Sequence, residues 1–272
     1  MSIGVDALEL DVRLTADGVV VVTHDPALNP DITRDANGEW LAAPGGLIRA
    51  LPYAALRAFD VGRICPGTAY AEAFPEQLPC DGARIPTLGE VLRLGPEVKL
   101  TIEIKSSPRH TGWTATQLAE AVLLDLDRAA ATGRVVVQSF DWRVLRYLRE
   151  ARTDLSLAWL TSRATAASAR VRSSGVAGFG GALPRAVAAE GGRTWAAEHD
   201  QLSAARVAEA HKLGLRVLAW TVNLPARMRQ LLDWGVDGLI TDRPDLARPV
   251  LAENGLALPP RRVIPADLTT RR

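Results

Sequence analysis

The chain has 272 residues, 47% of them hydrophobic and 23% charged, with a formal net charge of +1. That length suits two average domains or one α/β barrel of about 250 residues, and the apolar content excludes a disordered polymer. The near-neutral balance offers no electrostatic grip on nucleic acid or an anionic lipid surface, and no apolar run reaches the roughly eighteen residues of a membrane span.

The first predicted elements are a strand from Ala7 to Thr15, a turn at Ala16-Asp17-Gly18 and a second strand from Val19 to His24. Residues 26–86 are rich in Pro and Gly, with one short helical piece around Pro52 to Phe59, and read as an active-site insertion. Thr87, with Glu90 three residues on, is the expected N-cap of the helix that follows. Strands then alternate with helices: Lys99–Lys105 before Thr116–Ala131, Arg134–Ser139 before Trp142–Ala151, and Ser156–Leu160 before a helix around Ala164 to Arg172. A weaker strand at Thr194–Ala197 precedes Ser203–Leu213, Arg216–Trp220 precedes Ala226–Trp234, and Gly238–Ile240 precedes Pro244–Glu253. Gly133, Gly214 and Gly235 fall where left-handed helix C-caps are wanted, and Gly178–Gly181 reads as a loop with no helix behind it.

Such alternation predicts parallel strands with crossover helices. Seven parallel strands can be counted, where a closed (β/α)8 barrel has eight. A doubly wound sheet is the competing fold, but no Gly-rich phosphate loop follows a strand at the expected place. In a barrel the chemistry lies at strand C-terminal ends, which is where Asp11, Glu103, Gln138, Trp220 and Thr241 are expected.

Two strands carry an unusual pattern. Glu9, Asp11 and Arg13 share one face of the first, opposite Leu8, Leu10, Val12 and Leu14; Thr101, Glu103 and Lys105 share one face of the other, opposite Leu100, Ile102 and Ile104. Each run alone fits a half-buried strand with a solvated face. Both together, with His24-Asp25 at a strand end, fit carboxylates converging on a hard divalent cation that holds a phosphate. Only three lysines occur, Lys99, Lys105 and Lys212, which sets Lys105 apart from surface filler. Gln138 is a candidate polar contact. His110 and His199 follow strands and could face substrate or simply occupy loops, and His211 suits a helix C-terminus. Trp142, Trp159, Trp195 and Trp234 read as packing residues. Cys65 and Cys80 lack a C-x-x-C partner, which argues against zinc, and read as free thiols.

The segments Gly4–Val12, Leu14–Gly18 with Val22–Asp25, Arg84–Leu88, Ile102–Lys105, Gln138–Phe140, Ala219–Asn223 and Gly235–Pro244 together resemble the glycerophosphodiester phosphodiesterase family, in order and spacing from Gly4 to about Leu251. The resemblance implies an α/β TIM (β/α)8 barrel of the phospholipase-C-like phosphodiesterase type as one domain over residues 1–251, with an insertion at 26–86 and a C-terminal tail at 252–272. It implies metal-dependent hydrolysis of glycerophosphodiesters to glycerol 3-phosphate and an alcohol, in phospholipid and glycerol metabolism. Glu9, Asp11 and Glu103 would hold one divalent cation, Mg2+ or Ca2+. His24 would be one of two catalytic histidines, Lys105 would lie near the phosphate, and Trp220 would line the pocket.

The family's opening His-Arg-Gly strand and Pro-Glu-Asn-Thr helix are not in this sequence, so a first β/α unit upstream of Met1 is expected to be missing. Such a chain is expected to be aggregation-prone and impaired in turnover. Two alternatives stay open: a barrel that only binds a phosphorylated ligand, and a phospholipase-D-like lipid phosphodiesterase. The expected partner is a small-molecule glycerophosphodiester, with no nucleic acid and no stable membrane insertion, in the cytoplasm. The oligomeric state is not legible.

Overall fold

A computed structural model of the protein describes residues 2–106, 115–166 and 182–261. The chain divides into two compact units, one of Met1–Glu9, Leu94–Glu103 and Thr132–Arg272, the other of Leu10–Arg93 and Ile104–Ala131.

The chain opens with a hairpin, most of it in the second unit. Strand β1 (Ala7–Leu14) pairs antiparallel with β2 (Val20–Val22), in the register Val12↔Val22, Arg13↔Val21 and Leu14↔Val20. Gly18 closes the turn at φ 78°, where its amide donates to the Thr15 carbonyl. Thr15 Oγ1 donates to Asp17 Oδ1 at 2.6 Å and accepts the Val19 amide at 2.9 Å. On β1, Leu10, Val12 and Leu14 are buried while Asp11 and Arg13 are half-buried, so the predicted alternation holds.

The region read as irregular carries more order than its sequence pattern predicts. Besides the expected helical piece, α1 (Tyr53–Leu56), it contains a 3-10 turn at Ile48–Ala50 and a second helix, α2 (Ala69–Ala73). Its Leu28, Ile48, Leu56 and Ile85 share a small core with Val21 of β2. Arg34 bridges Asp60 and Asp81 at 2.6 Å each, and Arg63 grips the far side of Asp81 at 2.7 Å. Helix α3 (Leu88–Leu92) starts with the expected capping box: Thr87 Oγ1 accepts the Glu90 amide, and Glu90 Oε2 accepts the Thr87 amide.

The remaining strands are β3 (Lys99–Ile104), β4 (Val135–Ser139), β5 (Ser156–Thr161), β6 (Thr194–Glu198), β7 (Arg216–Trp220) and β8 (Gly238–Leu239). Between and after them come helices α4 (Ala115–Arg128), α5 (Trp142–Ala151), α6 (Arg163–Ala166), α7 (Leu183–Ala189), α8 (Ala204–Lys212), α9 (Pro225–Asp233) and α10 (Pro244–Glu253). The sheet order is β2-β1-β3-β4-β5-β6-β7-β8, and every pairing from β3 to β8 is parallel. Each successive strand therefore lies beside the one before it. A doubly wound sheet reverses direction at a switch point, and this order has none, so the winding is that of a TIM-type barrel. Trp142, Trp159 and Trp195 are fully buried, as their packing role requires.

Two local readings need correction. Helix α7 was not expected; its Leu183, Pro184, Ala186 and Val187 are buried, and Pro near its first turn sets the backbone for a helix start. The glycine cluster before it lies outside the described residues, as does most of the helix expected from Ala164 to Arg172. Gly214 and Gly235 do take positive φ at helix ends, but Gly133 does not. The left-handed residue after α4 is Ala130 at φ 47°, because the chain turns early enough for the Ala131 amide to reach the Leu126 carbonyl and for Ala131 to be buried.

Candidate metal and phosphate site

The site rests on the charged faces of β1 and β3. Glu9, Asp11 and Glu103 each offer an oxygen within 4.8 Å of the others'. Glu103 is only 6% exposed, so the charged face of β3 is not a solvated one. A carboxylate removed from water needs a compensating charge or several donors, and three carboxylates this close repel one another. Each such pair is unfavourable by on the order of 3–4 kcal/mol at an effective dielectric near 20, before solvent screens the exposed Glu9. Lys105 Nζ lies 3.0 Å from Asp11 Oδ1, with both side chains largely buried. One ammonium against three carboxylates leaves negative charge in surplus among these four side chains. An all-oxygen donor set with surplus negative charge is the chemistry of a hard divalent cation, and the cluster could hold one.

Gln138 joins the same group. It faces Glu103 in the parallel register of β3 and β4, is 2% exposed, and donates from Nε2 to Glu9 Oε1 at 2.9 Å. A carboxylate can only accept, which turns the amide so that Gln138 Oε1 is left without a hydrogen-bond partner among the described residues.

The hairpin supplies the rest. His24 lies just past β2, its side chain 69% exposed, with Nδ1 2.9 Å from Asp25 Oδ1. Asn29 Nδ2 donates to the other Asp25 oxygen at 2.8 Å. Arg13 donates twice to the main-chain carbonyl of His24, from Nε at 2.9 Å and Nη2 at 2.6 Å. Burial pushes the Asp25 carboxyl up, but the bonds from His24 and Asn29 and the charges of His24 and Arg13 outweigh it and hold the group below the ordinary value. Sequence reasoning placed Arg13 on the charged face without a role and missed Asn29; the structure shows their contacts with His24 and Asp25.

The expectation that the site residues occupy strand ends holds for Glu103 and Gln138, each next to last in its strand, and for Trp220, the last residue of β7. Thr241 lies two residues past β8. Asp11 departs from it, three residues before the end of β1. The hairpin explains this: Val12 to Leu14 pair with β2, and the Lys105 amide donates to the Val12 carbonyl, so β3 ends level with Val12 while β1 runs on. The Trp220 indole N–H donates to the Ala196 carbonyl, and its ring meets Phe140 edge-on at 5.5 Å.

Of the other histidines, His199 Nδ1 accepts from Arg227 Nε and lies 3.2 Å from Asp200, and His211 Nε2 lies 3.0 Å from Asp237. His110 falls outside the described residues. Cys65 and Cys80 are free thiols.

The chain matches the model of the glycerophosphoryl diester phosphodiesterase family over residues 1–246. It is 30% identical to a Mycobacterium tuberculosis protein named as a probable glycerophosphodiester phosphodiesterase, across 93% of this chain and 82% of that one. A Silicibacter pomeroyi structure provisionally assigned as a glycerophosphoryl diester phosphodiesterase superimposes with a TM-score of 0.84 and 39% identity, covering 93% of this chain and 85% of that one. An Oleispira antarctica phosphodiesterase, solved in complex with the product sn-glycerol-3-phosphate, shares the fold at a TM-score of 0.70 and 19% identity, over 92% of this chain and 86% of that one. The TIM-barrel class, the converging carboxylates and a match running almost end to end agree: this chain is an enzyme of the glycerophosphoryl diester phosphodiesterase family.

Proposed function

We propose that the protein hydrolyses small glycerophosphodiesters to glycerol 3-phosphate and an alcohol, in phospholipid and glycerol turnover, with one divalent cation, Mg2+ or Ca2+, held by Glu9, Asp11 and Glu103. The observation that carries this reading is the group of three carboxylates within 4.8 Å of one another, with Lys105 paired to Asp11. The relatives' names and the product seen in the Oleispira structure support the substrate class. Such an ion, when bound, offsets the negative charge of the phosphodiester and of the oxygens on which charge develops.

The chain's own residues divide the remaining work. Lys105, paired to Asp11, presents a positive charge to the phosphate. Gln138 fixes Glu9 through Nε2 and keeps Oε1 available to accept from a substrate hydroxyl. His24 exchanges a proton with the attacking or leaving oxygen through its exposed ring. Trp220, braced edge-on by Phe140, walls the pocket on the β7 side. No helix among the described residues is long and apolar enough to cross a membrane. Its place of action is proposed to be the cytoplasm.

The test is release of glycerol 3-phosphate from glycerophosphocholine with Mg2+ or Ca2+, before and after chelation, for the wild type and for Glu9→Gln, Asp11→Asn and Glu103→Gln. Chelation should abolish turnover, and each variant should lower it by about a hundredfold or more, the scale of losing one charge-stabilising group. Undiminished turnover in chelator, or in Glu103→Gln, would sink the reading.

A further inference from the structure

An imidazole as exposed as that of His24 is held by no packing, so its ring is free to rotate and to divide between two tautomers unless hydrogen bonds choose for it. Here they do. Asp25, held below the ordinary carboxyl range, is ionised at neutral pH and can only accept, so the His24 nitrogen 2.9 Å away must carry a proton. That nitrogen is Nδ1, which leaves Nε2 as the one that gains and loses protons. Asp25 is itself oriented: Asn29 Nδ2 holds its second oxygen at 2.8 Å, so both carboxylate oxygens are engaged and the group cannot swing away. The backbone is anchored separately, since two bonds from Arg13 end on the carbonyl of His24. A planar guanidinium donating from two of its nitrogens to one oxygen restricts direction as well as distance.

The side chain, its orienting carboxylate and the peptide bearing both are thus each fixed by a different residue. Besides His24, Arg13 from β1 and Asn29 from the loop beyond β2 act on the Asp25 carboxyl. We propose that Arg13 and Asn29 are positioning residues for His24, acting through its carbonyl and through Asp25 to present Nε2 in one orientation and one tautomer. The inference rests on the reading of His24 as the proton-exchanging group. Through the reaction the Nδ1 proton stays on the bond to Asp25 while a single proton moves on and off Nε2.

A purely structural role would show in folding and metal affinity, and a positioning role would show in the imidazole. The experiment uses the whole chain labelled with 15N histidine, with the His24 signals assigned by their loss in His24→Ala among the four histidines. The wild type should show His24 protonated at Nδ1 and bare at Nε2, and Asn29→Ala and Asp25→Ala should shift it toward the averaged values of a free ring. In turnover, Arg13→Met and Asn29→Ala should each lower kcat by about tenfold or more, as small misplacements of an acid–base group do, with KM, Tm and Mg2+ affinity unchanged. Arg13→Lys, which keeps the charge and one donor, should recover part of the loss. In a His24→Ala background neither substitution should cost anything further.

A wild-type His24 carrying its proton on Nε2 overturns the proposal, as does an equal further loss in the His24→Ala background. If His24→Ala turns over like the wild type, the reading of His24 falls and this inference with it. If His24→Ala is inactive while Arg13→Met and Asn29→Ala match the wild type in kcat and in 15N shifts, the inference alone falls.

Discussion

Ala130 holds the left-handed conformation that L-residues adopt only at a cost, and its side chain is exposed. Ala130→Gly removes the strain without opening a cavity. It should raise stability by about 1 kcal/mol, less what the freer unfolded chain recovers, and thermal unfolding should show a Tm higher by roughly 2–4 °C. An unchanged or lower Tm would show that the turn is not strained. The sequence pointed instead to Gly133, because glycine is the usual signal; what decides the turn is where Leu126 and Ala131 can meet, and that is a matter of packing. Glu9, Asp11 and Glu103 were legible for the opposite reason. A strand's period of two shows in the sequence which residues share a face, and two such faces needed only adjacency to become a cluster. Arg13 and Asn29 were not legible, since an arginine bonding a carbonyl eleven residues away leaves no periodic trace.

Among elements, the segment from Pro26 to Pro86 shows why lack of periodicity is a poor guide to lack of order. Its cohesion comes from a few apolar contacts and from the chain Asp60–Arg34–Asp81–Arg63, none of which recurs at a helical or strand interval. Burial raises the Asp60 carboxyl, and the Gly62 and Gly82 amides with Arg34 more than reverse this; Arg63 and then Arg34 hold Asp81 far below the ordinary carboxylate range. Both carboxyls bind protons more weakly folded than unfolded. Their contribution is therefore complete above about pH 5 and fades as pH falls through the unfolded value near 3.9 toward the lowered ones. Asp81→Asn should accordingly narrow the gap in denaturant midpoint between pH 7 and pH 3; a gap as wide as the wild type's would show that the pair contributes nothing. At the entrance to α3, Thr87→Ala removes half of the capping box and should cost about 1 kcal/mol in chemical unfolding at neutral pH. A cost near zero would mean that Glu90 or water takes over the freed amide.

At the scale of the molecule, an ion bound by the folded chain and not by the unfolded one must stabilise it. At a hundredfold excess over the dissociation constant the gain is about 2.7 kcal/mol, enough to move Tm by several degrees. Titration with Mg2+ or Ca2+ should raise the Tm of the wild type and leave Glu103→Gln unmoved, a readout that needs no turnover; equal shifts in both would place the ion elsewhere. The winding of the sheet was legible as a whole, because alternating strands and helices leave few topologies open. Helix α7 was missed because alanine-rich segments carry little apolar contrast.

On β1 the core residues Leu10, Val12 and Leu14 alternate with Glu9, Asp11 and Arg13 along one short stretch of chain, and β2 fixes their register. A slip of one residue in its pairing would turn Leu10, Val12 and Leu14 to the polar side and bury Asp11 and Arg13 in their place. The misfolded register is therefore excluded by the same step that would unmake the site. For this chain, the register that buries Leu10, Val12 and Leu14 is also the one that sets Asp11 and Arg13 on the opposite face.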